Sequence, residues 1–286
     1  MGSRTSGFTV FGEIKTVSET PAPVDRHLAI HRQLRALLIL SSGEKAAFED
    51  HFARLRREDS ASRLVHFSTF SETEPASSDN GYRNNHISSV DHVDQDQLSR
   101  WLTSQSHHYD AILPAADLLR RERFSSVDRV IYMGIVAESL GKELGEVERV
   151  EETYSRKKGS HSTWVLRCIV HSELDLSNCP FDPVVLAKAI AKNYNKSKHF
   201  QPSLTPDPSV TGILGRFFAV VIRHLSIRLA LIGPGSSNHK LHMTSESVRS
   251  IEGLKAVAVD ENCWPTFRVV TEEVQEESTE EAHEGS

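Results

Sequence analysis

The stretch DPVVLAKAIAKNYNKSKHF, residues 182–200, decides the fold of this chain. Asp182 followed by Pro183 predicts a helix start, because an aspartate caps free backbone N–H groups and proline fits the first helical position. The helix is expected to run to about Phe200. Its early turns are apolar and its last turns are polar and basic. One end is therefore expected in a core, while the other faces a cleft.

Apolar residues at helical spacing predict further helices on both sides of this stretch. The segment Val127–Leu144 is apolar on most faces, which is typical of a central helix. The longest helix is expected over Thr211–Ile232, where Gly233 and Pro234 stop it. Other helices are predicted at 25–41, at about 44–57, at 98–112 and at 163–171. The expected fold class is mainly α, a helix bundle with a short N-terminal strand and two preceding helices.

The same patterns divide the chain into five parts. An N-terminal extended segment at 1–24 contains an alternating strand at 8–14, which is either the remnant of a sheet domain or a partner for 266–271. A helical hairpin follows at 25–70, then a polar linker at 71–95, the helix bundle at 96–235, and a C-terminal extension at 236–286 that ends in an acidic disordered tail.

Acidic charge is concentrated at the C-terminus. The chain of 286 residues has a net charge of -6, but seven of its 39 acidic residues are glutamates after Val270, which leaves 32 against 33 basic residues. A near-neutral body does not indicate extensive nucleic-acid binding, which depends on many phosphate contacts, but it allows a local basic patch.

Composition also favours a cytoplasmic protein without a membrane span. The three cysteines, Cys168, Cys179 and Cys263, are too few and too widely spaced for a disulfide framework, which favours a reducing compartment. The most apolar stretch, 210–232, contains three arginines and a histidine, and charges of this kind argue against a transmembrane helix. No cofactor motif and no metal site is expected from the sequence.

The residues that can perform chemistry lie at the end of the 182–200 helix. Lys192, Asn195 and His199 are spaced i, i+3 and i+7, so they form one stripe on the helix surface. Histidine can act as acid or base near neutral pH, and a neighbouring ammonium group can stabilise an anionic phosphate. A lysine- and asparagine-rich last turn is also what an ordinary solvated helix end contains. Spacing alone leaves both interpretations open.

Several segments, in this order, resemble the ApeA-like HEPN domain family, which is linked to abortive-infection defence against phages. They are Leu98-Ser99-Arg100-Trp101, Arg129-Val130-Ile131-Tyr132 leading to Ala137-Glu138-Ser139-Leu140, and Asn195-Lys196-Ser197-Lys198-His199 before a long apolar helix. The resemblance covers roughly residues 8–55 and 96–235. It implies a HEPN-type bundle, an RNA-directed function and a likeness to HEPN ribonucleases, which cleave RNA without a metal.

HEPN ribonucleases carry Arg-Asn-x-x-x-His or, more loosely, Arg, four to six residues, then His. Asn195 and His199 match the Asn and His of that motif, whereas Tyr194 stands at the Arg position. The resemblance implies that His199 assists attack by a ribose 2′-hydroxyl, that Lys192 or Lys198 steadies the phosphate, and that two subunits build one cleft as a homodimer. The RNA would be tRNA or mRNA. Lysine offers only a point charge where arginine offers a planar fork.

Glu138 is a supporting candidate. It shares one face of the central helix with Ile131 and Ile135, and a carboxylate on an apolar face is costly unless it is paired. The resemblance includes a Glu at this place. It either orients the site or bonds a buried arginine such as Arg223.

Three functions therefore compete. The first is a HEPN-type ribonuclease of phage defence, which the Asn195/His199 pair favours. The second is a catalytically inactive HEPN bundle that serves as a dimerisation or sensing module, which the missing Arg favours. The third is a helical scaffold with no relation to the family.

Overall fold

The computed structural model describes residues 15–20, 22–43, 46, 48, 51–53, 62–63, 86–87, 93–103, 108–120, 125–199, 206–232 and 241–268. Within these residues the chain is mainly helical, which confirms the expected class. The α-helices are α1 Val24–Ser42, α2 Gln95–Thr103, α3 His108–Arg120, α4 Ser126–Glu143, α5 His161–His171, α6 Pro183–His199, α7 Pro208–Ile227 and α8 Ser245–Gly253.

Helix α7 is the centre of the core. Asp207 caps its start with a side-chain oxygen that accepts hydrogen bonds from the backbone N–H groups of Ser209 and Val210. From Phe217 to Ile227 every residue is buried. The helix is long and apolar enough to cross a membrane, yet 89% of its apolar window lies inside the protein. The apolar residues of α7 therefore form part of the protein core. Its end widens into a π-helical turn at Arg228–Ile232.

Helices α4, α5, α6 and α7 pack around one another, with α4 against both α5 and α7, and α6 against α5. Two glycines allow α4 to approach its neighbours closely. A Cβ atom at Gly134 would lie 2.2 Å from the ring of Tyr194 on α6, and one at Gly141 would lie 2.6 Å from the backbone of Trp164 on α5. Larger residues would therefore force α5 and α6 away from α4.

The predicted helical hairpin at 25–70 is correct only in its first half. Helix α1 forms as expected, but residues Phe52–Ala53 are a strand, β1, that pairs antiparallel with β2, Ser62–Arg63. Aromatic residues spaced four apart suit an extended backbone as well as a helix, so their spacing alone could not decide between the two. The remaining residues between Ser42 and the linker lie largely outside the described ranges.

The predicted polar linker at 71–95 contains a core residue. Ile87 is fully buried, its N–H donates to the carbonyl oxygen of Ser41 at 2.8 Å, and its carbonyl oxygen accepts from the N–H of His242 at 2.9 Å. One isoleucine among polar residues has no periodicity, so the sequence could not identify it. The linker prediction is therefore wrong at this residue.

The C-terminal extension at 236–286 joins the fold in its first part. Ile251 of α8, Leu254 and Val257 belong to the main hydrophobic core. Beyond α8, strand β3 (Val257–Val259) pairs antiparallel with β4 (Pro265–Phe267). The predicted bundle boundary at 235 is therefore too early. The predicted strand at 8–14 and the acidic tail lie outside the described residues.

Candidate functional site

Helix α6 begins where the sequence predicts. A carboxylate oxygen of Asp182 accepts the backbone N–H of Val184 at 2.9 Å, which caps the helix. The same carboxylate bonds Arg149 at 2.6 Å, and Arg149 also bonds Glu152. Burial raises the pKa of Asp182, but hydrogen bonds from Arg149 and from the backbone N–H groups of Val184 and Val185 lower it by a larger amount. The pKa of Asp182 therefore lies below its usual range. The start of α6 is thus fixed by charge as well as by packing.

The predicted stripe at the other end of α6 faces outward. Asn195 and His199 are exposed, and Lys192 is half-buried. The described part of the chain contributes no hydrogen bond to the side chain of Asn195 or His199. Between Pro183 and His199 the helix has four lysines and no carboxylate. The result is a local basic face on a chain that is otherwise close to neutral.

Tyr194, the residue at the expected Arg position, points the other way. It is 3% exposed, and its ring stacks on His161 of α5 with centroids 4.1 Å apart. The ammonium group of Lys198 lies 5.5 Å from the Tyr194 ring centroid, in a cation–π contact. Tyr194 is therefore an anchor for the end of α6 and cannot offer its ring to a phosphate.

His161 is the buried imidazole of this region. It is the first residue of α5, is 9% exposed, and meets Trp164 edge-on as well as Tyr194 face-on. Both of its ring nitrogens are buried and, among the described residues, have no hydrogen-bond partner. The same is true of the Ser197 hydroxyl on α6. Unpartnered buried polar atoms are rare in folded proteins, which distinguishes this contact from ordinary core packing.

Two charged side chains act on His161 from neighbouring helices. Burial lowers the pKa of His161 to about 4, the negative charge of Glu138 on α4 opposes this change, and the positive charge of Lys198 adds to it. The ring is therefore neutral at physiological pH. His161, Glu138 and Lys198 together form a cluster in which α4, α5 and α6 each supply one ionisable group.

Glu138 does not bond Arg223, so that interpretation is wrong. Its carboxylate accepts a hydrogen bond from Lys142 one turn later at 2.9 Å, and this bond is the main reason why the pKa of Glu138 lies below its usual range. The side chain is 38% exposed, because the face of α4 that holds Ile135 turns toward solvent. Arg223 instead bonds Glu246 and the Leu40 carbonyl oxygen.

Sequence reasoning missed His161. Two signals pointed to it. His161, Val165 and Cys168 share one helical face, and Arg156 precedes His161 with four residues between them, which fits the looser Arg and His spacing given above. The Asn195–His199 stretch matches more letters of the stricter motif, so the sequence alone favours that stretch over His161.

The described residues contain no group of three or more His, Cys, Asp or Glu side chains arranged to hold a metal ion. Cys168 is fully buried, and burial raises the pKa of its thiol far above the usual range, so it is a core residue. The end of α6 instead combines an exposed imidazole, an exposed amide, lysines and a buried imidazole. Such groups can bind an anion and move a proton. Comparison with protein families, with curated proteins and with solved structures finds no match to this chain.

Proposed function

We propose that this protein is a HEPN-type, RNA-directed protein that acts as a metal-independent endoribonuclease in the cytoplasm, in abortive-infection defence. The observation that supports the proposal is the end of α6, where Asn195 and His199 are exposed one turn apart on a helix that contains four lysines and no carboxylate. Lysines beside an exposed imidazole suit a phosphodiester substrate. The RNA is tRNA or mRNA.

In the proposed reaction His199 acts as general base. It takes the proton from a ribose 2′-hydroxyl while that oxygen attacks the adjacent phosphorus, and the bond to the 5′-oxygen breaks. The leaving 5′-oxygen takes a proton from a second, protonated imidazole, so the products are a 2′,3′-cyclic phosphate and a 5′-hydroxyl. Asn195 hydrogen-bonds a phosphate oxygen, and Lys192 or Lys198 offsets its negative charge. General acid–base assistance is worth about 100- to 10,000-fold in rate.

The proposal includes a homodimer. A single α6 end presents only one exposed imidazole, whereas cleavage benefits from a base and an acid on opposite sides of the phosphate. Two α6 ends that face each other supply both groups, together with the lysines of each subunit. The exposure of Asn195 and His199 in the single chain is compatible with such a cleft.

The test is RNA cleavage by the purified full chain in the presence of EDTA. We expect the wild type to cut tRNA or mRNA to 2′,3′-cyclic phosphate ends, and His199→Ala to be at least about 100-fold slower. The matched control is His242→Ala, which removes another exposed histidine and is expected to cut like the wild type. Equal cleavage by wild type and His199→Ala would contradict the assignment of His199.

The variant His161→Phe extends this test. Phenylalanine keeps the stack on Tyr194 but cannot transfer a proton. If His161→Phe abolishes cleavage while His199→Ala does not, the catalytic role belongs to His161 and Arg156.

The second candidate function is a catalytically inactive HEPN module for dimerisation or sensing. The buried position of Tyr194 favours it, because no guanidinium occupies the motif position beside Asn195. This candidate predicts a dimer in sedimentation experiments and no RNA cleavage by the wild type. A monomer that cuts RNA would contradict it.

A further inference from the structure

The segment between Tyr154 and His161 forms a two-residue hairpin turn. Ser155 and Lys158 exchange both backbone hydrogen bonds, at 2.9 and 3.0 Å, and the residues between them, Arg156 and Lys157, have φ angles of 51° and 64°. Positive φ at both central positions defines a type I′ turn, which strongly prefers Asn-Gly. Arginine and lysine are strained in this conformation. This turn is therefore formed against the preference of its residues.

The same turn carries three positive charges. Arg156, Lys157 and Lys158 are consecutive and exposed, and within the described residues none of them forms an ion pair. The nearby carboxylates of Glu152 and Glu146 are directed at other arginines, Arg149 and Arg167. Three adjacent cations repel one another. Neither the charges nor the backbone conformation of the turn therefore stabilises the folded protein.

The base of the turn is firmly attached to the α5–α6 end. The Ser160 hydroxyl donates to the carbonyl oxygen of Thr153 at 2.7 Å, and the Thr153 hydroxyl lies 3.0 Å from the hydroxyl oxygen of Thr163, to which it donates. The next residue, His161, stacks on Tyr194, one residue before Asn195. The turn therefore projects from the same end of the molecule as the basic end of α6.

We propose that Lys157 and Lys158 bind phosphate groups of the RNA backbone and extend the basic end of α6 into one backbone-binding track. The inference rests on the proposed RNA-directed function and names the role of the turn within it. Consecutive exposed cations on a fixed hairpin, next to the lysines of α6, suit a chain of phosphates such as a nucleic-acid backbone. The strain in the turn is compatible with a functional position, because such strain is concentrated at binding sites.

The experiment uses the variant Lys157→Gly/Lys158→Thr in a His199→Ala background, so that binding is measured without cleavage. Glycine relieves the positive φ at position 157, threonine suits the strand position at 158, and Arg156 remains. Binding of labelled tRNA and of a labelled single-stranded oligoribonucleotide is followed as salt is raised. We expect weaker binding, with the slope of log affinity against log salt reduced by about 1.4 to 1.8 for two lost contacts. The melting temperature is expected to rise by about 2–4 °C.

The matched control is Lys15→Asn/Arg26→Asn, which removes two exposed cations next to the start of α1. It is expected to leave the salt slope unchanged. The single variant Lys158→Gln keeps the turn intact and is expected to remove about half of the effect. Unchanged binding and slope in the turn variants, or no RNA binding by the His199→Ala protein, would overturn the inference. If the wild type fails to cut RNA while the turn variants still reduce binding, the inference stands and the nuclease proposal falls.

Discussion

Two regions of the molecule contain buried polar side chains, and they differ in how those side chains are hydrogen-bonded. At the junction of α1, α7 and α8, Arg223 is 1% exposed, and its guanidinium donates to the Leu40 and Ser41 carbonyl oxygens and to Glu246. At the α5–α6 end, the His161 ring nitrogens have no partner among the described residues. The first region uses polarity to join helices. The second contains buried polar atoms that make no such bond within the described residues.

The junction around Arg223 explains how α1 attaches to the bundle. The last turn of an α-helix leaves carbonyl oxygens without intrahelical donors, and Arg223 supplies donors to two of them at the end of α1. Gly43, which ends α1 with a φ angle of 71°, leaves room for the guanidinium; a Cβ there would lie 2.4 Å from it. The comparison therefore predicts that changes at the junction lower stability at all pH values, whereas changes at the α5–α6 end alter RNA cleavage and the dependence of stability on pH.

The largest effect is expected from Arg223→Met. It leaves Glu246 and the Leu40 carbonyl oxygen without the donor that Arg223 supplies, while the N–H of Ile87 still donates to the Ser41 carbonyl oxygen. The loss of one partner of a buried pair costs about 3–5 kcal/mol in the free energy of unfolding. Urea denaturation measures this loss. Glu246→Gln is the control and is expected to cost less, because the glutamine amide oxygen can still accept a hydrogen bond from Arg223, which also keeps its bonds to the Leu40 and Ser41 carbonyl oxygens. Equal losses for the two variants would show that the junction is not organised around Arg223.

The next effect is a dependence of stability on pH. Burial lowers the pKa of both His161 and His224 to about 4, from an ordinary 6.5. As pH falls below about 6.5, the unfolded chain binds a proton at each residue while the folded chain does not, so stability falls until pH reaches about 4. Each residue accounts for about 3 kcal/mol of that loss.

The variant His161→Phe separates the two histidines. It keeps the aromatic stack on Tyr194 and removes one titration, so we expect the loss of unfolding free energy between pH 6.5 and 4 to shrink by about half. His199→Ala, at an exposed position, serves as the control and should leave the pH profile unchanged. If the free energy of unfolding falls as steeply between pH 6.5 and 4 in His161→Phe as in the wild type, folding does not lower the pKa of His161.

The smallest effect is expected from Glu138→Gln. The carboxylate is partly exposed and pairs with Lys142 one turn away, and pairs of this kind contribute about 0.3–0.5 kcal/mol. Lys142→Gln should cost more than Glu138→Gln, because the Lys142 ammonium group also lies 4.7 Å from the Trp164 ring centroid. RNA cleavage should persist in both variants. A tenfold loss of cleavage in Glu138→Gln at unchanged stability would instead make Glu138 a positioning residue for His161.

The sequence was sufficient for features that depend on neighbouring residues. The start of α6 at Asp182 and Pro183, the presence of the long apolar helix α7 and the basic end of α6 are confirmed, although α7 begins three residues earlier than predicted and its last residues form a π-helical turn. Cap chemistry and helical periodicity act within a few residues, so they can be read locally. Predictions failed where a distant residue decided the outcome. Ile87 is held by backbone groups of Ser41 and His242, and β1 exists because Ser62–Arg63 pairs with it.

The candidate site shows the same division. The sequence by itself determined that α6 ends in lysines, an amide and an imidazole on one exposed face, because helical geometry fixes the spacing. Only the tertiary structure decided that Tyr194 turns inward onto His161, that Glu138 pairs with Lys142, and that Arg223 serves the end of α1. The last contact joins residues 183 positions apart. Burial and pairing depend on which helices meet, and no local pattern contains that information.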